Sequence, residues 1–279
     1  MGKYEHAPQY YTTKLKASSL VNSPQSNHRS LASTYSNIGL VCYNRGEYAE
    51  ALEYNQKALQ TESNLLLSNL PSFAITCNNI GLVYDTTGEY DKALECYGKA
   101  LEIQLNSLSL NDPRLIAAYN NIGAVYRKKD ECSKALEYYE KMLGMQLISL
   151  PSDHRALAVT YINIGLVYNK KSEYDKALEY YEKTHEIRLN SLPSDHPSLV
   201  PAYCNVARAY FNKEDYHKTL ENLGKTVDIQ LISLPPNDPA LAATYCKVAR
   251  VYVEKKEYDK ALRYYEKAFL IELISLLSN

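Results

Sequence analysis

The tripeptide Asn-Ile-Gly constrains this chain more than any other feature. Its Asn falls at Asn37, Asn79, Asn121 and Asn163, and relaxed versions continue as Asn205-Val206-Ala207 and Lys247-Val248-Ala249. Every step is 42 residues (79 − 37, 121 − 79 and so on), with no insertion or deletion across six copies. A fixed interval of this length means one supersecondary unit used again and again, each copy burying its apolar face on the next. The 279 residues therefore read as one long array.

Within a copy the spacing is helical. In the fourth, Leu157, Tyr161, Ile164 and Tyr168 lie 4, 3 and 4 apart, one face of an α-helix. The stretch Asn169–Glu173 breaks the pattern. Tyr174, Leu178, Tyr181, His185, Leu189 and Leu192 then continue at 4, 3, 4, 4 and 3, a longer amphipathic helix. Pro193 sits where a helix must stop and Pro197 where the next can start. Asp112 and Asp238 immediately precede a proline in equivalent linkers, as an N-cap before N1 would. The unit is thus helix A, a tight turn, helix B and a proline-bearing linker. No segment carries a strand signal, so the fold class is all-α.

Gly39, Gly81, Gly123 and Gly165 lie in the middle of helix A, where glycine costs about 1 kcal/mol against alanine. Close approach of helix A to helix B is the expected compensation. Ala207 and Ala249 fill the same slot, and Ala51, Ala93, Ala135, Ala177 and Ala261 are expected to supply a matching small surface on helix B, with Thr219 the exception. Pro201 predicts either a late start for the fifth helix A, capped by Ser198, or a bend there.

In the third copy, Tyr119, Ile122, Gly123, Tyr126, Ala135 and Tyr139 resemble the tetratricopeptide repeat, although Met142 stands where that pattern has a last alanine. The interval of 42, the longer helix B and linkers such as Ser194-Asp195-His196-Pro197 are similar to the repeats of kinesin light chains and nephrocystin-3-like proteins. The resemblance implies a right-handed superhelical α-solenoid of six helix-turn-helix repeats, with the A helices on its inner wall. On this reading the repeats occupy 26–67, 68–109, 110–151, 152–193, 194–235 and 236–277, after an N-terminal segment, 1–25. Within that segment Lys14–Ser23 is in phase with the end of a helix B and is expected to be a remnant helix.

Opposite the core stripe of helix A lies a second stripe. It reads Ser33, Asn37, Leu40, Asn44 in copy one, then Ile75, Asn79, Leu82, Thr86, and Ala117, Asn121, Ala124, Lys128. The last three copies give Val159, Asn163, Leu166, Lys170, then Pro201, Asn205, Arg208, Asn212, and Ala243, Lys247, Arg250, Glu254. A merely solvated face is usually charged, as the outer side of helix B is, with Glu53/Lys57, Glu95/Lys99, Glu137/Lys141, Glu179/Lys183 and Glu221/Lys225 all at i, i+4. The A stripe instead keeps Asn beside apolar residues and turns basic from copy three on. An amide donates and accepts, so it can hold a peptide backbone without reading its sequence. The expected site is therefore a peptide groove built from Asn37, Asn79, Asn121, Asn163 and Asn205, with Leu40, Leu82 and Leu166 taking side chains. Lys128, Lys170, Arg208 and Arg250 would favour acidic residues, an arginine gripping a carboxylate with two bonds. The other reading is that the asparagines bond neighbouring repeats and hold them in register.

Other residue classes point to structure. His185 lies on helix B's apolar stripe and reads as a core histidine, while His154 and His196 sit in linkers as caps or surface residues. Lys129, Lys171, Lys213 and Lys255 close A helices, where a cation suits the dipole. The six cysteines form no Cys-x-x-Cys pair and replace residues at repeat positions, as in a reduced, cytoplasmic protein. No metal-ligand spacing occurs, and no GxxxxGK[ST], GxSxG or GxGxxG, so neither a metal, a cofactor nor catalysis is expected.

A formal charge of −1 gives no basic excess for nucleic acid. No apolar run nears the roughly 18 residues needed to span a bilayer, and Met1–Tyr10 lacks the apolar region of a secretory signal. Phe269, Ile271, Leu273 and Ile274 close the sequence without a polar capping element, which predicts a fragment of a longer array or association through that end. The expected function is a non-enzymatic scaffold that binds an extended peptide of a partner protein. Two alternatives stand beside it: a kinesin-light-chain-like cargo adaptor, for which no heptad coiled coil is present, and the regulatory repeats of a larger enzyme such as an ADP-ribosyltransferase.

Overall fold

The computed structural model describes residues 24–63, 71–110, 112–151 and 154–277. The expected helix over Lys14–Ser23 lies outside these residues. Among the described residues there are twelve α-helices and no strand. The A helices are α1 (Pro24–Asn44), α3 (Pro71–Thr86), α5 (Pro113–Lys128), α7 (Arg155–Lys170), α9 (Val200–Asn212) and α11 (Pro239–Glu254). The B helices are α2 (Tyr48–Ser63), α4 (Tyr90–Ser107), α6 (Cys132–Ser149), α8 (Tyr174–Ser191), α10 (Tyr216–Ser233) and α12 (Tyr258–Leu277). The chain forms two compact units that divide between Met145 and Gln146, inside α6.

Helix starts follow the linker chemistry. Asp112 Oδ1 accepts the Arg114 N–H at 2.9 Å, and Asp238 Oδ1 the Ala240 N–H at 2.8 Å. The Arg114 guanidinium beside Asp112 holds that carboxyl down to about 2. His154 and His196 do the same work with a ring nitrogen, accepting from Ala156 and Ser198 at 3.1 and 3.2 Å. The fifth A helix starts late: a 3-10 turn, Pro197–Leu199, precedes α9, and Pro201 lies in the first turn, where its missing N–H costs nothing. His196 caps that turn, and Ser198 supplies the bonded N–H instead of the cap.

Each A helix ends in the same turn. The residue at Gly46, Gly88, Asp130, Ser172, Glu214 and Lys256, 42 apart each time, has φ between 60° and 83°. The next N–H bonds back five residues, Glu131 to Tyr126 O and Glu173 to Tyr168 O at 2.9 Å. Asp130 N also reaches Arg127 O at 3.3 Å, which completes a Schellman termination. The lysine before the turn ties it further: Lys129 bonds Asp91 and Glu131, Lys171 bonds Glu173, Lys213 bonds Asp175, and Lys255 bonds Glu257. The expected dipole role of these lysines is thus joined by ion pairs.

Packing alternates within and between repeats. In the first unit, Ala93, Tyr97 and Leu101 of α4 meet Leu115, Ala118, Ile122 and Val125 of α5. In the second, Ala177, Leu178 and Tyr181 of α8 meet Val206 and Ala209 of α9. Tyrosines bind A to B within a repeat: Tyr138 contacts Tyr119 and stacks on Tyr126, and Tyr180 does so with Tyr161 and Tyr168, at 5.5–6.0 Å between centroids.

The mid-helix glycines do mark close approach; a larger helix B side chain comes nearest, and of the expected alanines Ala51 is among the neighbours, its carbonyl oxygen 3.1 Å from a Cβ on Gly39. A Cβ on Gly81 or Gly123 would lie 2.7 Å from the ring of Tyr97 or Tyr139, both fully buried. Gly165 faces Tyr181 in the same way, and Gly39 faces Asn55. In repeat five the slot holds Ala207, and the facing residue is the smaller Leu223. In repeat six it holds Ala249, and the equivalent Tyr265 is 42% exposed. At Gly81, Gly123 and Gly165 the glycine makes room for a buried tyrosine ring, and at Gly39 for the Asn55 amide.

A second inter-repeat device was not expected. Near the end of helix B a polar side chain reaches the start of the next helix A. Gln146 donates to Ala156 O at 3.5 Å and accepts from Thr160 Oγ1 at 2.5 Å, Gln230 donates to Ala240 O at 3.3 Å, and Arg188 donates to Ser198 O at 2.5 Å. Glu62 holds the equivalent place in repeat one, near Ser72 and Thr76, with Oε2 buried and without a hydrogen-bond partner.

Candidate functional site

The stripe opposite the core emerges on the accessible side of every A helix. In the first unit, Ser33, Asn37, Leu40 and Asn44 of α1 are exposed, as are Ile75 and Thr86 of α3 and Ala117 and Lys128 of α5. Asn79, Leu82, Asn121 and Ala124 are half-buried between them. In the second unit, Val159 and Lys170 of α7, Pro201, Arg208 and Asn212 of α9, and Ala243, Lys247, Arg250 and Glu254 of α11 are exposed, with Asn163, Leu166 and Asn205 half-buried. The local reason is the helical repeat itself, which puts positions 4, 3 and 4 apart on one face once Ile122, Gly123 and Val125 and their equivalents face the core.

Successive A helices are bonded at the C-terminal end of this face. Tyr43 Oη meets Thr86 Oγ1 at 3.0 Å, Lys128 donates to both Asp85 oxygens at 2.7 and 2.8 Å, and Asn212 donates to Asn169 Oδ1 at 3.3 Å. Each of these pairs is 43 residues apart. These register contacts lie about two helical turns beyond the asparagines. Among the described residues no hydrogen bond engages the amides of Asn37, Asn79 or Asn121, whereas Asn163 and Lys170 have partners within the protein. Lys128, expected as a ligand cation, already has Asp85 as its counter-charge.

The second unit concentrates the cations. A pocket of about 530 Å³ opens between α9 and α11 over the start of α10. Asn205, Arg208, Asn212, Lys247 and Arg250 give it polar walls, with Phe211 and Leu223 among the apolar ones. Arg208 donates to Asn205 Oδ1 at 3.1 Å, the Arg250 guanidinium lies over the Phe211 ring at 4.8 Å, and Lys247 Nζ is 3.9 Å from Cys204 Sγ. No acidic residue lines it. Sequence reasoning named Asn205, Arg208 and Arg250 but not Phe211 or Cys204, which a one-face stripe leaves out because they flank it.

The remaining chemistry is structural. His185 packs edge-on against Tyr203 at 4.6 Å, and burial, with Lys225 and Arg188 nearby, pushes its pKa down. All six cysteines are free thiols. The five helix B ion pairs all form, at 2.5–2.9 Å. Among the described residues no group of three or more His, Cys, Asp or Glu is placed to hold a metal, and no helix is long and apolar enough to cross a membrane.

The family model for the tetratricopeptide repeat matches residues 30–106, 72–147, 114–190, 156–230 and 198–269 in overlapping stretches. The chain belongs to the tetratricopeptide repeat family. Solved structures share the fold. The nearly identical TPR-like repeats of a kinesin light chain from Podosopora anserina align with a TM-score of 0.66 at 23% identity, over 74% of this chain and 98% of that one. BtubC (BKLC) from P. vanneervenii gives 0.70 at 19%, over 85% and 96%. The apo form of RapI gives 0.65 at 18%, over 97% and 92%. Comparison with curated protein sequences gives no match. The fold is an α-solenoid of helical pairs with kinesin-light-chain-like relatives in structure, the kind of scaffold that generally serves protein–protein interaction.

Proposed function

We propose that the chain is a non-enzymatic scaffold whose A-helix faces hold an extended peptide segment of a partner protein. One observation carries this reading. The register contacts between A helices are made by Tyr43–Thr86, Asp85–Lys128 and Asn169–Asn212, which leaves Asn37, Asn79 and Asn121 as accessible amides with no internal task. Such amides pair with a peptide's N–H and C=O whatever its side chains. Leu40, Leu82 and Leu166 beside them offer apolar contact, and Arg208 and Arg250 favour an acidic residue. Free thiols throughout suit a reducing compartment, and we place the protein in the cytoplasm.

The test is a pull-down of partners with the full chain and with the Asn37→Ala, Asn79→Ala, Asn121→Ala triple variant. Partner capture falls in the variant, while helicity and melting temperature barely move. Collapse of the fold instead would mean that the asparagines hold the repeats together.

A second reading concerns self-association, and α12 supplies its observation. Leu262 and Phe269 are 60% and 62% exposed, whereas the equivalent Leu178 and Leu101 are 6% and 8% exposed under a following A helix. A face built to be covered is here open, and a second copy is one partner that would cover it.

A further inference from the structure

The pocket between α9 and α11 differs from the rest of the A-helix face in one respect: its positive charge has no internal answer. At the ends of A helices, Lys128 is answered by Asp85 and Lys213 by Asp175. Arg208, Lys247 and Arg250 converge on one cavity with no acidic residue in its lining. Each is held by a neutral group. Asn205 accepts from Arg208, Phe211 supports the Arg250 guanidinium from below, and Cys204 sits against Lys247. A guanidinium stacked on a ring keeps its edge N–H groups available while losing little freedom on binding.

We infer that this pocket binds the phosphate of a phosphorylated serine or threonine in the partner peptide. The inference rests on the reading of the A-helix face as a binding surface and names what its basic end selects. Three cations facing a single carboxylate would stay two charges in excess. A phosphomonoester carries a charge of about −1.5 to −2 near neutral pH and three acceptor oxygens, so it can engage both arginines and the lysine at once. Asn205 and Asn212 add neutral amide groups at the rim, and Pro201, Phe211 and Leu223 give apolar wall for the residues that flank the phosphate.

The test follows the arginine side-chain Nε–Hε resonances of the full chain during titration with N-acetyl-O-phosphoserine amide and, separately, N-acetyl-aspartate amide. The Arg208 and Arg250 signals move, and the phosphoserine compound binds at least about tenfold tighter. The Arg208→Gln, Arg250→Gln variant loses that preference. Lys247→Gln, on an exposed side chain whose contact is to Cys204 Sγ, loses part of it, and Lys128→Gln leaves it intact because Asp85 already answers that charge. Equal affinity for the two compounds, shifts confined to other arginines, or a preference that survives in the double variant would each overturn the assignment. So would tighter capture of the wild type than of the double variant by vesicles containing phosphoinositide, with no response to phosphoserine, since the ligand would then be a membrane lipid. Loss of partner capture in the asparagine variant, together with a failed phosphate titration, would retire the phosphate and leave the groove standing.

Discussion

Two residues argue most clearly for how this chain is built. Glu62 stands where repeats two, three and five carry Gln104, Gln146 and Gln230, and it is almost fully buried. Burial raises its pKa, partly offset by the nearby Ser72 and Thr76 side chains. An acid whose folded value is raised contributes stability below the usual glutamate range, about 4.3, and loses it as pH climbs through the folded value. Glu62→Gln should therefore raise stability at pH 7 by on the order of 1 kcal/mol, with the gain vanishing near pH 4 in melting curves. Gly123 makes the second case. Gly123→Ala drives a methyl into the Tyr139 ring and should cost roughly 1–3 kcal/mol. Adding Tyr139→Leu reproduces the Ala207/Leu223 pairing of repeat five, and denaturant titration should show the two changes costing less together than the sum of each alone.

The elements are largely legible in the sequence. Spacings of 4, 3 and 4 and the Asp-Pro linkers of Asp112 and Asp238 gave helices A and B because side-chain periodicity and capping are local physics. The turn between them was less so. Its left-handed residue is glycine only at Gly46 and Gly88, and Asp130, Ser172, Glu214 and Lys256 hide the requirement. Those four carry a backbone conformation that costs about 1–2 kcal/mol for a residue with a Cβ. Ser172→Gly and Lys256→Gly should each stabilise by roughly 0.5 kcal/mol or more after the entropy of the unfolded glycine is counted, and Gly88→Ala should do the reverse. The glutamine contacts at Gln146 and Gln230 escaped sequence reasoning for another reason: a polar residue at a helix end reads as solvent-facing, and only the placement of the next helix buries it. The Asp85–Lys128 pair likewise depends on how far one A helix slides past its neighbour, which no single-helix pattern contains.

At the scale of the whole chain, near-neutral charge conceals local imbalance. The net charge of −1 gave no hint of a cationic pocket in the second unit, because the compensating acids lie on helix B faces and in turns. The stripe pointed to Arg208 and Arg250, but their convergence with Lys247 needs two helices placed side by side. The open face of α12 makes a prediction at this scale. Sedimentation at high micromolar concentration should show self-association, and Phe269→Glu should return the chain to monomer. A wild type that sediments only as monomer would rule out this face as a self-association surface.

The side chain that reaches from the end of one helix B to the opening carbonyl of the next helix A has a consequence for how such a chain can change. Gln146, Arg188 and Gln230 all do so across ten residues. Each of these three junctions brings its own fastener, encoded within the stretch it fastens. A duplicated or deleted cassette of one period arrives or departs with its join intact, so length can drift by whole copies while every seam stays chemically complete.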